Sequence, residues 1–446
     1  MSLQKGESAA KCAPPTALRS NGWVASGRSS TDCREAAESQ LLEAAITTVT
    51  SPGPADPPPR PLVPFFSQAA TFAALRSRID QELTEVLDDG KFSHGAKVAQ
   101  LERALADYTG ARHVIGVNSG TDALVLLLRA AGLRPGDEVV VPAFSFVASA
   151  SAVVLAGGRP VFADIDPVSY GLDPVSAERV LTPRCRFLMP VHLFCQLADL
   201  PRLSALAELH GLRLVEDSAE AIGMRQDGVH AGLLGAGGVL SFFPTKTLGA
   251  IGDAGAILTD DDAIAATADA LRHHGRPGRT IGDFRTINTS SQLSGYNSKM
   301  DDIQAAVLLA KLGRLDADIA RRAALAAAYD ERLAGIPGVL RLPTVVDRGT
   351  KADPVFYVYL IEVERRDELV AHLSRHGVET ETYYPVPLHL QPCFAELGHR
   401  PGDFPQAEAA CTRTLALPLY PDLPLDAVDA VCDRIRSFFT GTGARP

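Results

Sequence analysis

The stretch GVLSFFPTKTLGAIGDAGAILT (Gly238–Thr259) carries two short apolar runs, GVLSFF and AGAILT, separated by a Pro-Thr-Lys turn and a glycine-rich link. Runs of this length with β-branched and aromatic residues, bounded by Gly and Pro, predict strands. Five similar runs precede them: HVIGV, EVVVP, RPVFADI, RFLMPV and LRLVED. Segments with helical spacing of apolar residues alternate with these runs. That alternation predicts an α/β domain built on a mostly parallel seven-stranded sheet flanked by helices, over residues 63–320.

After Lys311 the pattern KLGRLDADIARRAALAAAYDERLAG predicts one long helix leading out of this domain. The strand candidate VFYVYLIEV (Val355–Val363), the helix pattern DELVAHLSRHG and a final helix near Leu425–Phe439 then predict a smaller C-terminal α+β domain, residues 321–446. Residues 1–62 are rich in Ser, Ala and Pro and end in PGPADPPPRP, a composition expected to form a disordered extension. Within it, REAAESQLLEAAITTV from Arg34 has helical spacing and is expected to be an isolated helix of no catalytic consequence.

The chain has 446 residues, 46% of them hydrophobic, enough to bury a substantial core. Its net charge of -10, with Lys and Arg scattered, argues against a nucleic-acid or anionic-membrane surface and for small-molecule partners. Seven cysteines without paired spacing fit neither a disulfide framework nor a metal site, so no metal is expected. No apolar run is long enough for a membrane helix, and a cytoplasmic location is expected.

In an open α/β sheet, ligands bind beyond the carboxyl ends of the strands, so polar residues that follow apolar runs are the candidates for chemistry. LRLVED ends in Glu216-Asp217. GVLSFFPTK ends in Lys246, whose amine, desolvated at a strand end, is expected to have a lowered pKa and to attack aldehydes. Asn118-Ser119-Gly120-Thr121 stands before the apolar helix DALVLLLRAAG, and free N–H groups at such a start suit a phosphate. A phosphate cradle, a carboxylate for a ring nitrogen and a Schiff-base lysine, in that order with 29 residues from Asp217 to Lys246, are what pyridoxal 5'-phosphate (PLP) requires of a protein.

The segments NSGTDAL, GDEVVVPAFSFVAS, GGRPVFADIDP, VEDSAEAIG, SFFPTKTLGAIGDAGA, GYNSKMDDIQAA and YPVPLHLQP, spread over Pro64–Phe439, resemble the DegT/DnrJ/EryC1/StrS family of PLP-dependent sugar aminotransferases. The resemblance implies the fold type I architecture of PLP-dependent transferases. It implies that Lys246 forms the Schiff base and that Asp217 partners the pyridinium nitrogen. Gly120, Thr121 and Ser241 would hold the phosphate, Phe146 would stack on the cofactor, and Glu220 would lie near its phenolic oxygen. Asn297 would reach the phosphate of the neighbouring subunit, which implies a homodimer with shared sites.

Family members that remove a sugar hydroxyl have His in place of the lysine, so Lys246 favours transamination. The motifs are closest to enzymes that aminate C3 of nucleotide-linked 3-keto-deoxysugars, with L-glutamate the donor expected from the family. Tyr383, Tyr384 and His389 are expected on a loop near the sugar. Tyr383, Thr247 and Cys195 depart from that subgroup's usual His, Asn and Gly. A 4-keto sugar or a keto-inositol is the alternative acceptor. A PLP-binding regulatory protein without turnover is the alternative of another class, against which stand the intact Lys246, Asp217 and Ser241.

Overall fold

The computed structural model describes residues 62–276 and 290–441; all of the expected extension but Leu62, with its helical pattern from Arg34, lies outside the described residues. Helices α1 (Ala69–Asp89) and α2 (Ala96–Thr109) precede β1 (His113–Val117). The chain then alternates through α3 (Gly120–Ala130), β2 (Glu138–Pro142), α4 (Ala148–Leu155), β3 (Arg159–Ala163), α5 (Pro174–Arg179), β4 (Cys185–Leu188), α6 (Leu200–His210) and β5 (Arg213–Leu214). A small hairpin, β6 (Arg225–Gln226) and β7 (Val229–His230), is followed by β8 (Gly238–Ser241), β9 (Gly255–Thr259) and α7 (Asp262–Arg272).

Parallel pairing sets β2 between β3 and β4, with Val140 opposite Val161 and Leu188, and sets β5 beside β4. Beyond Leu214 the fifth strand continues irregularly to a parallel bridge between Glu216 and Gly238, which joins β8 to the sheet. Strand β9 runs antiparallel to both β8 and β1. The order is therefore β3-β2-β4-β5-β8-β9-β1, seven strands with only β9 reversed. Val139, Val140 and Val141 are fully buried, as a strand covered by helices on both faces must be.

Helix α3 lies in this core. Ala123 through Leu128 are all buried, worth roughly 10 kcal/mol of apolar transfer before entropy is counted. Ser119 caps it, its Oγ accepting from the Asp122 amide at 3.1 Å, while Asp122 in the first turn and Arg129 in the last suit the helix dipole.

Helix α8 (Asp302–Leu312) still packs on the first two helices; the second region then contains α9 (Leu315–Leu333), β10 (Val339–Arg341), β11 (Ala352–Asp353), β12 (Tyr359–Val363), α10 (Arg366–Arg375), α11 (Pro405–Arg413), β13 (Thr414–Leu417) and α12 (Leu425–Thr440). Strands β10, β12 and β13 form an antiparallel sheet. Leu325, Leu333, Ile361, Leu373, Val431 and Ile435 pack into a core of their own. There the Tyr329 ring stacks on Tyr359 at 4.7 Å between centroids. Strand β11 instead pairs with β6.

Two sequence expectations are corrected. The helix expected after Lys311 breaks at Gly313-Arg314, so α8 packs on the large sheet's helices while α9 turns toward the second core. VFYVYLIEV is strand only from Tyr359: the Tyr357 amide donates to Phe194 O at 2.8 Å, which bends the first half away from the sheet.

Candidate active site

Because β1, β4, β5 and β8 run parallel, their carboxyl ends open on one side, and the segments that leave them line a cavity of about 370 Å³. Ser119, Gly120 and Thr121 come from the start of α3, Val191 and Leu193 follow β4, Asp217 and Glu220 follow β5, and Ser241, Thr245 and Lys246 follow β8. Phe146, Ser149, Tyr357, Tyr383 and Tyr384 complete the wall.

The adjacent acids Glu216 and Asp217 fall on opposite sides of an extended chain and do different things. Glu216, fully buried, accepts from the amides of Gly232, Leu234 and Gly235 at 2.7–2.8 Å and bonds His192 Nε2 at 2.9 Å. His192 Nδ1 accepts from the Ala198 amide, so Nε2 carries the proton toward Glu216. That network fixes the strand end, and Asp217, only 4% exposed, is presented to the cavity. The Ser149 hydroxyl donates to its Oδ2 at 2.7 Å.

Lys246 Nζ stands 3.2 Å from Glu220 Oε1 and 4.3 Å from the centre of the Tyr357 ring. Its side chain is 15% exposed. Burial alone pushes the amine's pKa down, but Glu220, Tyr357 and Asp217 together outweigh it and hold Lys246 above the ordinary lysine value. The lowered pKa expected from desolvation is thus overturned. With no ligand present, Lys246 is an ammonium ion.

At the start of α3, the backbone and β8 approach so closely that a Cβ on Gly120 would lie 2.8 Å from Ser241 Cβ. A Cβ on Gly255 of β9 would meet the Ser119 carbonyl carbon at 2.5 Å. The amides of Gly120 and Thr121 precede the first intrahelical bonds, and both residues line the cavity with Ser241, an arrangement that can hold an anion.

The other expected residues divide. Phe146 is 58% exposed, with its ring 6.4 Å from that of Tyr384. Tyr384 Oη reaches Glu220 Oε1 at 3.5 Å and Tyr383 Oη meets Tyr357 Oη at 3.4 Å; burial raises the pKa of both phenols. Asn297 lies outside this cavity, exposed, its Oδ1 accepting from Lys299 Nζ. His389 must be corrected: it is 2% exposed, bonded through Nε2 to Glu408 at 3.1 Å and packed edge-on against Phe404, so it braces α11 and does not reach the cavity.

Two residues at the centre were not anticipated. Tyr357 sits in what reads as an ordinary strand, and Ser149 in a helix start; only the fold brings them to Lys246 and Asp217. Among the described residues no group of His, Cys, Asp and Glu could hold a metal ion, and no helix is long and apolar enough to cross a membrane.

Known proteins resemble this chain over nearly all of the described residues. A pleiotropic regulatory protein of Geobacillus stearothermophilus is 40% identical over 378 residues, which cover 84% of this chain and 98% of that one. The dTDP-3-amino-3,4,6-trideoxy-alpha-D-glucose transaminase of Streptomyces venezuelae is 40% identical over 378 residues, covering 85% and 96%. Among solved structures, S. venezuelae DesV in complex with a ketimine intermediate superposes with a TM-score of 0.79 at 40% identity, covering 85% of this chain and 98% of that one. NtdA from Bacillus subtilis with bound cofactor PMP gives 0.74 at 33% identity, covering 82% of each. The model of the DegT/DnrJ/EryC1/StrS aminotransferase family matches residues 73–436, and with the fold type I architecture and an amine, a carboxylate and an anion cradle at one cavity, this chain belongs to that family of aminotransferases.

Proposed function

We propose that the cavity binds pyridoxal 5'-phosphate and that the enzyme moves an amino group from L-glutamate onto a nucleotide-linked 3-keto-6-deoxyhexose. The observation that carries this reading is the convergence of Lys246, Asp217 and the Ser119–Thr121 cradle with Ser241 on one cavity. The residues fit the group: the cradle is so tight that a Cβ at Gly120 would fill it, and in the cavity the buried Asp217 carboxylate is fixed by the Ser149 hydroxyl.

Bound there, PLP supplies an aldehyde that captures amines and a ring that draws electrons from the carbon losing its proton. Asp217, oriented by Ser149, would hold a proton at the ring nitrogen. The cradle amides and Ser241 Oγ would hold the phosphate, and Phe146, in the cavity wall, would stack on the ring. Lys246 Nζ is the nucleophile and then carries the substrate proton; Glu220 Oε1, at 3.2 Å, is the nearest group to accept the ammonium proton first. Tyr383 and Tyr384, in the cavity wall, would face the sugar. Amination at C3 is supported by the similarity to the S. venezuelae transaminase, whose named sugar carries its amino group at that carbon.

A homodimer belongs to the same reading, with Asn297 of each protomer serving the partner's cavity, in the cytoplasm. Residues 63–320 would form the cofactor domain and 321–446 the small domain, after an extension over 1–62. The test is the visible absorption of purified protein incubated with PLP, before and after L-glutamate, followed by a panel of 3-keto, 4-keto and cyclitol acceptors. The reading requires a lysine-bound band that glutamate bleaches, and turnover on the 3-keto nucleotide sugar. No band, or a Lys246→Ala protein that turns over at the wild-type rate, removes the assignment.

A further inference from the structure

A second buried lysine stands behind the cavity. Lys311, near the end of α8, is 5% exposed, and its Nζ makes no ion pair among the described residues. It donates to Gln68 Oε1 at 2.7 Å and to the Gly249 carbonyl at 2.5 Å, and lies 5.5 Å from the centre of the Phe72 ring. The nearby Asp318 is engaged with Arg314 at 2.7 Å. A solitary buried ammonium opposes folding, and burial pushes its pKa down to about 8. A neutral side chain would be more comfortable in that position.

Its two partners explain what the charge does. Gln68 passes the connection on, its Nε2 donating to the Pro244 carbonyl. Pro244 and Gly249 are the two stems of the turn whose apex is Lys246, and they touch: a Cβ on Gly249 would lie 2.3 Å from Pro244 O. The turn is closed by the Lys246 amide to Phe243 O and the Ala250 amide to Phe242 O, both at 2.8 Å. Two turns earlier on α8, Gln304 Oε1 accepts from the Ile251 amide at 3.1 Å. Both stem carbonyls are thus fastened from outside by one amide and one ammonium.

We propose that Lys311 and Gln68 are positioning residues for the reactive lysine: they clamp both stems of the Phe243–Ala250 turn and so fix where Lys246 Nζ sits. The inference rests on the reading of Lys246 as the reactive amine. Lys311→Met keeps the length and removes the donor; Gln68→Leu breaks the same clamp at its other end, in a half-buried position. Hydrogen exchange at residues 243–250 in cofactor-free protein reads the clamp, and kcat and KM for the glutamate half-reaction read its consequence.

Both variants should speed exchange of the Lys246 and Ala250 amides at least about 10-fold while leaving β12 and β13 unchanged. They should lower kcat about 10- to 100-fold, as a displacement of order 1 Å does, with KM altered less than about 3-fold. If Lys311→Met fails to fold, Gln68→Leu decides alone. Wild-type exchange, or faster exchange with an unaltered kcat, overturns the proposal. Turnover by Lys246→Ala would instead remove the reading of the site and leave the exchange result standing.

Discussion

Gly120→Ala tests the cradle most directly. Gly120 is the first residue of α3 and its backbone is not left-handed, so an alanine is strained only by what its Cβ meets. That Cβ would lie 2.8 Å from Ser241 Cβ, 3.0 Å from Ser241 Oγ and 3.3 Å from Ser241 Cα. Ordinary carbon contacts are about 3.5–4.0 Å, so the helix start and β8 must part by roughly 1 Å. Overpacking of this kind costs about 1–3 kcal/mol, and since the movement separates the phosphate-binding amides from Ser241, cofactor affinity should fall about 10- to 100-fold. The assay is titration of cofactor-free protein with PLP by visible absorption. Ser241→Gly removes the atom that is struck, so in a double-mutant cycle Gly120→Ala should weaken binding much less in the Ser241→Gly background. An unchanged affinity in the single variant, or strictly additive losses in the double, would refute the close approach as the reason for glycine.

Glu220→Gln removes the largest influence holding the Lys246 pKa up, so the amine of the cofactor-free variant loses its proton at lower pH. The pH profile for PLP capture should therefore move to lower pH; a profile that stays in place contradicts the Glu220–Lys246 coupling. His389→Leu should lower stability by about 1–3 kcal/mol through the lost bond to Glu408 while kcat/KM for the sugar holds, and a tenfold loss of kcat/KM would return His389 to the substrate. Truncation through Pro61 leaves the Val63–Val378 bridge, the Phe65–Tyr383 ring contact and Gln68 in place, whereas truncation through Gln68 removes all three. Only the longer truncation should lose the lysine-bound absorption band, and equal behaviour of the two contradicts this. Lys311, pushed down from 10.5 to about 8, leaves the unfolded chain binding more protons between those values, so wild-type stability relative to Lys311→Met should rise across that window by about 3 kcal/mol. Urea unfolding of both proteins at pH 7 and pH 10 reads the difference, and a flat one refutes the charged, buried state.

What the sequence made legible follows from range. The seven runs became strands because three or four consecutive apolar residues must be buried on both faces of a parallel sheet, and the ends of those strands located Asp217 and Lys246. Tyr357 was not legible: its role depends on a bend made by a hydrogen bond to Phe194, 163 positions away. His389 misled for the converse reason. It stands five residues past Tyr384 in a motif that reaches the site, yet the short helical turn at Leu388–Leu390 buries its ring against Phe404. The sign of the Lys246 shift was likewise out of reach, since a strand-end lysine reads as desolvated until Glu220 and Tyr357 are found beside it.

Several positions where this chain departs from the rules of comfortable folding lie at the cavity or just behind it. Gly120 and Gly255 hold backbones closer than a methyl group allows, Lys246 is a buried ion paired with Glu220, and Lys311 is buried without a carboxylate among the described residues. The same chain follows those rules in the Ser119-capped, dipole-matched α3 and in the stacked Tyr329–Tyr359 pair. Each meets a specific partner: Ser241 against Gly120, Glu220 against Lys246, the Gly249 carbonyl against Lys311. Departures that are expensive, adjacent and mutually supporting mark a site organised for chemistry. They also imply a direction for stability engineering. Neutralising Lys311 should cost little stability or even add some, and the loss should appear in the placement of Lys246.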